Sequence, residues 1–369
     1  MNASSTQSNR LAGLDFLRAY AALWVFLFHY MDLAPSQLKP ALGYNFYTGV
    51  GWNGVDLFFV LSGFLIGAIL CRKHENIKSF LIRRFFRIYP AYLVVLFLSL
   101  YVNKPYFIAN KLLIISHLLM FHNIISGYGG TINGVLWTLG EEFQFYLLAT
   151  LILLLPLSRR NNTFWYGLSV ILIAGSALYR WGIFWTTTDV DTTTRFFCIT
   201  QLPGMLGLFG MGFLAVQLKK IIGIYITRFF RFFFILSLGG VFFYLEWLSP
   251  HVGDYWEHQE VVLLGRVYSG AAFSFLVLVF SCAPDWVNDF LKKSGLVFIG
   301  EISYGIYLTH LFFIDFLKPY ESFFLQHHWM LYFATLVTLI GITSSLIYFL
   351  VERPFIRLGA YLSNKLTNR

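Results

Sequence analysis

Two ionisable residues with a helical spacing occur near the start of the chain. Arg18 and His29 lie eleven residues apart in the segment LDFLRAYAALWVFLFHY. Eleven residues make about three helical turns and about 16 Å along a helix axis, so both side chains face the same way. A neutral imidazole can accept a proton near neutral pH, and a guanidinium binds phosphate. The spacing predicts that both ionisable side chains share one helix face, and it favours a functional over a structural His29.

Further polar residues interrupt other apolar segments. Asp56 lies in GVDLFFVLSGFLIG, Glu141 and Glu142 lie in LWTLGEEFQFYLL, and His310 lies in SYGIYLTHL. A charged group at membrane depth is costly, which makes each residue a candidate functional group. A structural alternative stays open for each, because Asp56 and Glu142 could be hydrogen-bonded within the protein and His310 could be a packing histidine.

A pair of arginines occurs in the segment RRFFRIYPAY. Arg84 and Arg87 are i,i+3 neighbours, so they share one face of a helix. Paired guanidinium groups suit a phosphate through bidentate hydrogen bonds. The alternative is that these arginines, with Arg83, determine topology or contact lipid phosphates.

The composition indicates what kind of protein must position these residues. Of the 369 residues, 57% are apolar and 12% are charged, whereas a soluble domain carries about 25% charged residues. Lipid is the solvent that fits, and we predict an all-α polytopic membrane protein with about ten transmembrane helices. The predicted spans are 11–31, 50–71, 84–103, 136–156, 163–183, 196–218, 229–248, 261–282, 297–317 and 329–351. The shorter apolar stretch 111–126 is predicted to be an interfacial or re-entrant helix.

Basic residues predict the orientation of the chain. They flank alternate connections, namely Arg72, Lys73, Lys78, Arg83, Arg84, Arg87, Arg159, Arg160, Lys219, Lys220, Arg228, Arg231, Lys292, Lys293, Arg353, Arg357, Lys365 and Arg369. By the positive-inside rule both termini are cytoplasmic, which requires an even number of spans. The net charge of +9 is then mostly cytoplasmic-face charge, and no nucleic-acid partner is expected.

This orientation gives a simple domain plan and a prediction for the site. We expect a cytoplasmic tail at 1–10, one transmembrane domain at 11–351 and a cytoplasmic tail at 352–369. His29, Asp56, Glu142 and His310 come to similar depth toward the exterior, which predicts one shared polar cavity.

The cysteines and the N-terminus add little chemistry. Cys71, Cys198 and Cys282 show no metal-ligand spacing, so we expect free thiols and no metal. The first apolar run contains Asp15 and Arg18 and lacks a small-x-small exit, so it is predicted to stay as the first helix rather than to act as a cleaved signal peptide.

Taken together, these segments resemble the acyltransferase-3 family of bacterial membrane acyltransferases over nearly the whole chain. The Arg-x10-His signature matches Arg18 and His29, preceded by Asp15, and the RxxR motif matches Arg84 and Arg87. The segments GVDLFFVLSGFLI, LWTLGEEFQFYLL, ISYGIYLTHL and VERPF match the family's other motifs in its order. The further site candidates in these motifs are Asp15, Ser62, Gln144, Tyr146, Tyr307 and His310.

Three features depart from the family pattern. Thr138 stands where the family usually has Ser, and Glu141 stands where it usually has Val. Glu142 is then the aligned acidic residue, and Glu141 is an additional carboxylate. The family often carries an attached extracytoplasmic SGNH domain. This chain resembles a stand-alone member, so a separate extracytoplasmic partner enzyme could be needed to finish the transfer.

The resemblance implies an O-acyltransferase of the bacterial inner membrane. The implied donor is cytoplasmic acyl-CoA, usually acetyl-CoA, and the implied acceptor is a hydroxyl of an envelope glycan or lipid-linked sugar such as lipopolysaccharide O-antigen or exopolysaccharide. Arg18, Arg84 and Arg87 are then expected to bind the donor.

The chemistry of such a transfer requires a base, and His29 is the best candidate. Asp56 or Glu142 could orient it. An acyl-histidine intermediate is a possible variant. The main rival function is a transporter or channel for a lipid-linked sugar or small anion, and a non-catalytic scaffold of an envelope complex is a third.

Overall fold

A computed structural model describes residues 11–40, 46–72, 75–156, 161–187 and 192–367. Within these ranges the chain forms helices and turns, with no strand. The prediction of an all-α polytopic membrane protein is confirmed. The predicted tail at 1–10 and the basic residues Lys73, Arg159, Arg160 and Arg369 lie outside the described residues.

The described part of the chain contains seventeen α-helices. In chain order they are α1 (Ala12–Leu33), α2 (Phe46–Gly49), α3 (Asn53–Leu70), α4 (Ile77–Leu98), α5 (Lys111–Leu118), α6 (Trp137–Leu153), α7 (Asn162–Thr186), α8 (Thr192–Ile199), α9 (Leu202–Arg228), α10 (Phe230–Leu248), α11 (Gln259–Ser281), α12 (Asp285–Lys293), α13 (Leu296–Glu301), α14 (Ser303–Leu317), α15 (Glu321–Leu325), α16 (Trp329–Ile347) and α17 (Arg353–Thr367). Single π-helical turns follow α4 and α16, at Ser99–Asn103 and Tyr348–Glu352.

Seven helical segments of the described residues are long and apolar enough to cross a membrane. They are Asn53–Leu70, Ile77–Asn103, Asn162–Thr186, Leu202–Arg228, Phe230–His251, Gln259–Ser281 and Trp329–Leu366. The other three predicted spans correspond to α1, which carries Asp15, Arg18 and His29, and to α6 and α14, which have 17 and 15 residues. The count of ten spans and the cytoplasmic termini therefore stay predictions.

Two helix boundaries differ from the sequence prediction. The span predicted at 196–218 is replaced by the short α8 and by α9, which begins at Leu202 and continues through Lys219 and Lys220. Lysine side chains bury their hydrocarbon stems while the ammonium groups reach polar partners, so two lysines do not end the helix.

The predicted C-terminal tail contains a helix. In α17 the backbone carbonyl of Ser363 accepts a hydrogen bond from the hydroxyl of Ser79 on α4 at 3.2 Å, and Arg83 donates to the Ser363 hydroxyl. Asn76 caps the start of α4 by accepting a hydrogen bond from the Ser79 amide. The last helix, α17, therefore packs along α4, the helix that carries Arg84 and Arg87.

Close helix crossings fix the position of α1, the helix of Arg18 and His29. A Cβ added at Gly300 on α13 would lie 2.0 Å from the backbone oxygen of Asp15, and one added at Gly54 on α3 would lie 2.6 Å from that of Ala21. Small residues allow helix backbones to approach closely in a membrane. These contacts hold α1 between α3 and the α13–α14 pair, so the depth and rotation of His29 are fixed by packing.

Candidate active site: a histidine pair beside two adjoining cavities

The imidazole rings of His29 on α1 and His310 on α14 are in direct contact. The Nε2 atom of His310 lies 3.0 Å from Nδ1 of His29, and Nδ1 of His310 lies 3.1 Å from the carbonyl oxygen of Ile306. The side chain of His310 is fully buried, whereas that of His29 is partly exposed. The histidine predicted as a candidate on α14 is therefore the direct partner of His29.

The hydrogen bonds of this pair determine which nitrogen carries each proton. A carbonyl only accepts, so Nδ1 of His310 carries its proton and donates it to Ile306, which leaves Nε2 of His310 as an acceptor. The Nδ1–H group of His29 then donates to Nε2 of His310. The carbonyl oxygen of Val25 lies 3.1 Å from the same Nδ1 atom and, as an acceptor, also requires a proton on it. The lone pair of His29 is left on Nε2, which has no hydrogen-bond partner among the described residues. This is the tautomer that a general base needs.

A contact between two tilted rings connects the histidine pair to an inner cavity. Tyr307 lies one turn before His310, with ring centroids 5.8 Å apart. The Tyr307 hydroxyl is 2.9 Å from Oγ1 of Thr138, which itself donates to the Val135 carbonyl, so the tyrosine is the donor. Tyr307 and Thr138 both line the inner cavity. The buried His310 thus lies one aromatic ring, that of Tyr307, away from this cavity.

The inner cavity has a volume of about 110 Å³ and balanced charges. Its charged lining residues are Arg18, Arg84, Arg87, Glu142, Glu301 and Glu352. Glu142 accepts hydrogen bonds from the hydroxyls of Ser62, at 2.9 Å, and Tyr146, at 2.5 Å. Most of the remaining wall is apolar or aromatic. Such a space suits an uncharged chain with a few polar atoms better than a phosphate.

A second cavity, the basic groove, adjoins the inner cavity and is strongly cationic. Its volume is about 720 Å³, and Arg18, Arg84 and Arg87 line both spaces. Among the described residues, the charged side chains that line the basic groove are Arg18, Arg72, Arg84, Arg87, Lys219, Lys220 and one carboxylate, Asp15. Six cations around one carboxylate give this groove a positive potential that attracts anions. The arginine pair predicted to bind phosphate is part of this cationic lining, and its phosphate-binding role stays a prediction.

Asp56 lies in a different environment from His29, which corrects the sequence interpretation. Its carboxylate forms a buried ion pair with Arg266 on α11 and accepts a hydrogen bond of 2.7 Å from the Ser269 hydroxyl. The Arg266 guanidinium also lies over the Trp52 ring, 4.9 Å from its centroid. An aspartate held by these partners does not orient His29, and His310 occupies that position instead.

The prediction of one cavity shared by four polar residues is therefore wrong. His29 contacts His310, Glu142 lines the inner cavity with the arginines, and Asp56 pairs with Arg266. Thr138, in the first turn of α6, contacts Tyr307 of α14. Glu142 lies about one turn further along α6, where it lines the inner cavity with the arginines.

The comparisons with known proteins now bear on this geometry. A family model described as "Acyltransferase domain" matches residues 11–349, nearly the whole chain. The chain belongs to the acyltransferase-3 family. No solved structure matches it.

Three curated relatives illustrate the range of the acyltransferase-3 proteins that the chain is similar to. A Staphylococcus aureus (strain COL) protein named "Putative O-acetyltransferase" is 26% identical over 380 residues, covering 95% of this chain and 58% of its own length. A Bacillus subtilis (strain 168) protein named "Putative peptidoglycan O-acetyltransferase YrhL" is 26% identical, covering 95% of this chain and 55% of its own length. "Nodulation protein 10" of Rhizobium leguminosarum bv. viciae is 28% identical, covering 83% of this chain and 82% of its own length. The chain thus spans less than two thirds of the length of the first two.

The remaining candidates in the family motifs fall into two groups. Ser62, Tyr146 and Tyr307 line the inner cavity, and Asp15 lines the basic groove, where its carboxylate lies 3.0 Å from the Arg18 guanidinium. Gln144 lies elsewhere and donates to the Asn123 side chain at 2.7 Å. That bond ties α6 to the turn after α5, the short helix predicted at 111–126, so Gln144 is a positioning residue.

Sequence reasoning missed several residues around this acyltransferase-3 site. Lys219, Lys220 and Arg72 served only to predict orientation, although they line the basic groove. Arg266 stands in the middle of an apolar run, and a search for oppositely charged residues within spans would have paired it with Asp56. Glu141 is fully buried, with neither oxygen hydrogen-bonded among the described residues, and it lines neither cavity.

Proposed function

We propose that this protein is a membrane O-acyltransferase of the bacterial inner membrane. It moves an acyl group, acetyl in the simplest case, from cytoplasmic acyl-CoA to a hydroxyl of a cell-envelope glycan or lipid-linked sugar. The observation that carries the proposal is the order of three features along α1. The basic groove comes first, the inner cavity adjoins it, and the histidine pair follows, with Nε2 of His29 available to accept a proton.

The basic groove supports a CoA donor. CoA carries a pyrophosphate and a 3′-phosphate, and the groove surrounds a space of about 720 Å³ with six cationic side chains. Arginine pairs bind phosphate oxygens with two parallel hydrogen bonds, and lysine binds them as a point charge. The charge-balanced inner cavity gives a phosphate no comparable gain, so the phosphates stay in the groove.

The distance along α1 supports the placement of the acyl group. Arg18 lines both spaces, and His29 lies eleven residues further along the helix, a rise of about 16 Å. This rise is comparable with the extended length of the pantetheine arm. With its phosphates at Arg18, Arg84 and Arg87, the donor extends its uncharged arm through the inner cavity and delivers the thioester beside Tyr307 and His29.

The histidine pair supports proton transfer from the acceptor. Nε2 of His29 takes the hydroxyl proton while the hydroxyl oxygen forms a bond to the acyl carbon. The carbon–sulfur bond breaks, and the departing sulfur receives that proton from His29 as the CoA thiol. His310 keeps the reactive lone pair on Nε2 of His29 by accepting a hydrogen bond from the Nδ1–H group of His29. It is a positioning residue for the base.

The names of relatives support a saccharide acceptor. One relative is named for peptidoglycan O-acetylation, and others are named O-acetyltransferases. The acceptor approaches from the His29 end of α1, opposite the basic groove. This places donor and acceptor on the two sides of the histidine pair.

The experiment is an assay of purified full-length protein in detergent or nanodiscs with acetyl-CoA labelled in the acetyl group. We expect release of free CoA and labelling of a soluble saccharide acceptor, with both lost in His29→Ala. A covalent acetyl adduct seen by intact mass spectrometry would assign the acyl-histidine route instead of direct transfer. Movement of unmodified substrate across vesicles without consumption of acetyl-CoA would overturn the proposal in favour of a transporter.

A further inference from the structure

The loop between α10 and α11 brings together three side chains that can bind a metal ion. His251 ends the 3-10 turn Ser249–His251, Asp254 lies in the turn that follows, and His258 directly precedes α11. The candidate ligand atoms of the three residues all lie within 4.8 Å of one another. The spacing of the cysteines predicts no metal site, and these three residues lie in an irregular loop, where only folding brings them together.

The distances fit a site that closes slightly around a cation. Nε2 of His258 lies 2.7 Å from one carboxylate oxygen of Asp254, and Nδ1 of His251 lies 3.9 Å from the other. Zinc binds imidazole nitrogen and carboxylate oxygen at about 2.0–2.2 Å in a tetrahedron, which sets its ligand atoms about 3.3 Å apart. Small side-chain rotations from the present arrangement meet that requirement.

Hydrogen bonding alone leaves the cluster incomplete. The His258–Asp254 contact is an ordinary hydrogen bond, but a separation of 3.9 Å is too long for one. The Oδ1 atom of Asp254 is enclosed, and it has no hydrogen-bond partner among the described residues. A cation between this oxygen and the two imidazoles would satisfy it.

The loop is anchored at Tyr255 and Trp256, directly after Asp254, which limits the movement of the backbone that carries the three side chains. Tyr255 is buried with its ring against Trp52, at 5.1 Å between centroids. The backbone carbonyl of Trp256 accepts a hydrogen bond from Arg195 on α8. A loop that is held directly after Asp254 loses less conformational entropy when a metal orders its side chains.

We propose that His251, Asp254 and His258 form a divalent-cation site, with zinc as the best-matched ion and a water completing the tetrahedron. Two imidazoles and a carboxylate are a ligand set that zinc accepts. The ion joins the end of α10 to the start of α11. It therefore stabilises the loop that covers Trp52 and, below it, the Asp56–Arg266 ion pair.

The test is zinc binding by the full-length protein, purified through a tag without histidine and stripped with EDTA. Isothermal titration and metal analysis after desalting should show one saturable equivalent, and Co²⁺ should give the visible spectrum of tetrahedral coordination. His251→Asn and His258→Asn should each weaken binding by about tenfold or more, since even changes outside the ligand shell cost about 10–100-fold. Zinc should raise the melting temperature of the wild type and leave that of these variants unchanged.

The matched control is the exposed histidine pair His327 and His328, which lies between α15 and α16. Replacing both by Asn should leave the bound equivalent intact. The proposal is overturned if the wild type binds no zinc at micromolar concentration, if His251→Asn and His258→Asn bind as the wild type does, or if the control variant loses the equivalent.

Discussion

The Nδ1 atom of His29 donates a hydrogen bond to the Nε2 atom of His310, 3.0 Å away on a helix 281 positions later in the chain. In the proposed mechanism a neutral imidazole, that of His310, orients His29, a role that a carboxylate commonly has beside a catalytic histidine. It fixes the tautomer without adding a negative charge to a site that is enclosed in the protein. A general base contributes about 10²–10⁴-fold to a reaction rate. Loss of this hydrogen bond should therefore lower the turnover number measurably.

The first prediction concerns His29. His29→Ala and His29→Gln should both lower the turnover number for acetyl transfer by about 10²–10⁴-fold, because neither side chain can take a proton near neutral pH. Expression and melting temperature should stay near those of the wild type. The measurement is CoA release under saturating acetyl-CoA. Substantial turnover by His29→Gln would exclude proton abstraction at this position, and His310 would become the next candidate base.

The second prediction separates positioning from chemistry at His310. His310→Ala removes the atom that accepts the hydrogen bond from Nδ1–H of His29, and it should lower the turnover number. The KM for acetyl-CoA should change little, because His310 lines neither cavity. His310→Gln retains an acceptor oxygen and should recover part of the loss. A structural role alone would give equal turnover in the two variants once both are folded, and that result would contradict the proposed orientation of His29.

The third prediction concerns the basic groove. Arg87→Ala and Lys220→Ala should each raise the KM for acetyl-CoA, by about tenfold for a lost hydrogen bond to a charged group. The effect should shrink as salt is added, because salt screens the attraction. The matched control is Lys292→Ala on α12, a basic residue that does not line the groove. Equal KM values in all three variants would assign the groove residues to topology or lipid contact.

Helical periodicity predicted the parts of the site that lie on one helix. The shared face of Arg18 and His29, and that of Arg84 and Arg87, follow from spacing alone. The partners of these residues could not follow from spacing, because they depend on how helices far apart in sequence cross. Nothing local in SYGIYLTHL indicates that His310 meets His29, and the close crossing of Gly300 with Asp15 contributes to that meeting.

The sequence predicts the depth of a residue in the membrane less well than the helix face on which it lies. Counting residues from a predicted helix end gives comparable depths only when the helices begin at the same level, and α6 begins beside Tyr307, the fifth residue of α14. Glu142 therefore lies beside the arginines rather than beside His29. The sequence also predicts that a span ends just before Lys219 and Lys220. In the structure α9 continues to Arg228, and both lysines line the basic groove.

The fourth prediction concerns the orientation of the chain. In a background without Cys71, Cys198 and Cys282, a cysteine at Ser249 should react with a membrane-impermeant maleimide in spheroplasts, since the loop after α10 is expected outside. A cysteine at Lys292, exposed on α12, should react only after permeabilisation. The reverse pattern would invert the map and would move the basic groove away from cytoplasmic CoA.

The last prediction concerns the ion pair of Asp56 and Arg266. Both side chains are buried, with 0% and 6% of their surface exposed, so Asp56→Ala leaves a buried guanidinium without its carboxylate. Breaking one partner of a buried pair costs about 3–5 kcal/mol, whereas removing both charges together costs far less. Asp56→Ala should therefore lower the melting temperature in detergent, measured by tryptophan fluorescence, and Asp56→Ala combined with Arg266→Met should recover much of the loss. Acetyl transfer per folded molecule should recover with it. If Asp56→Ala instead melts like the wild type and still loses turnover, the carboxylate acts in the reaction itself, and the role that the sequence first indicated for it would be restored.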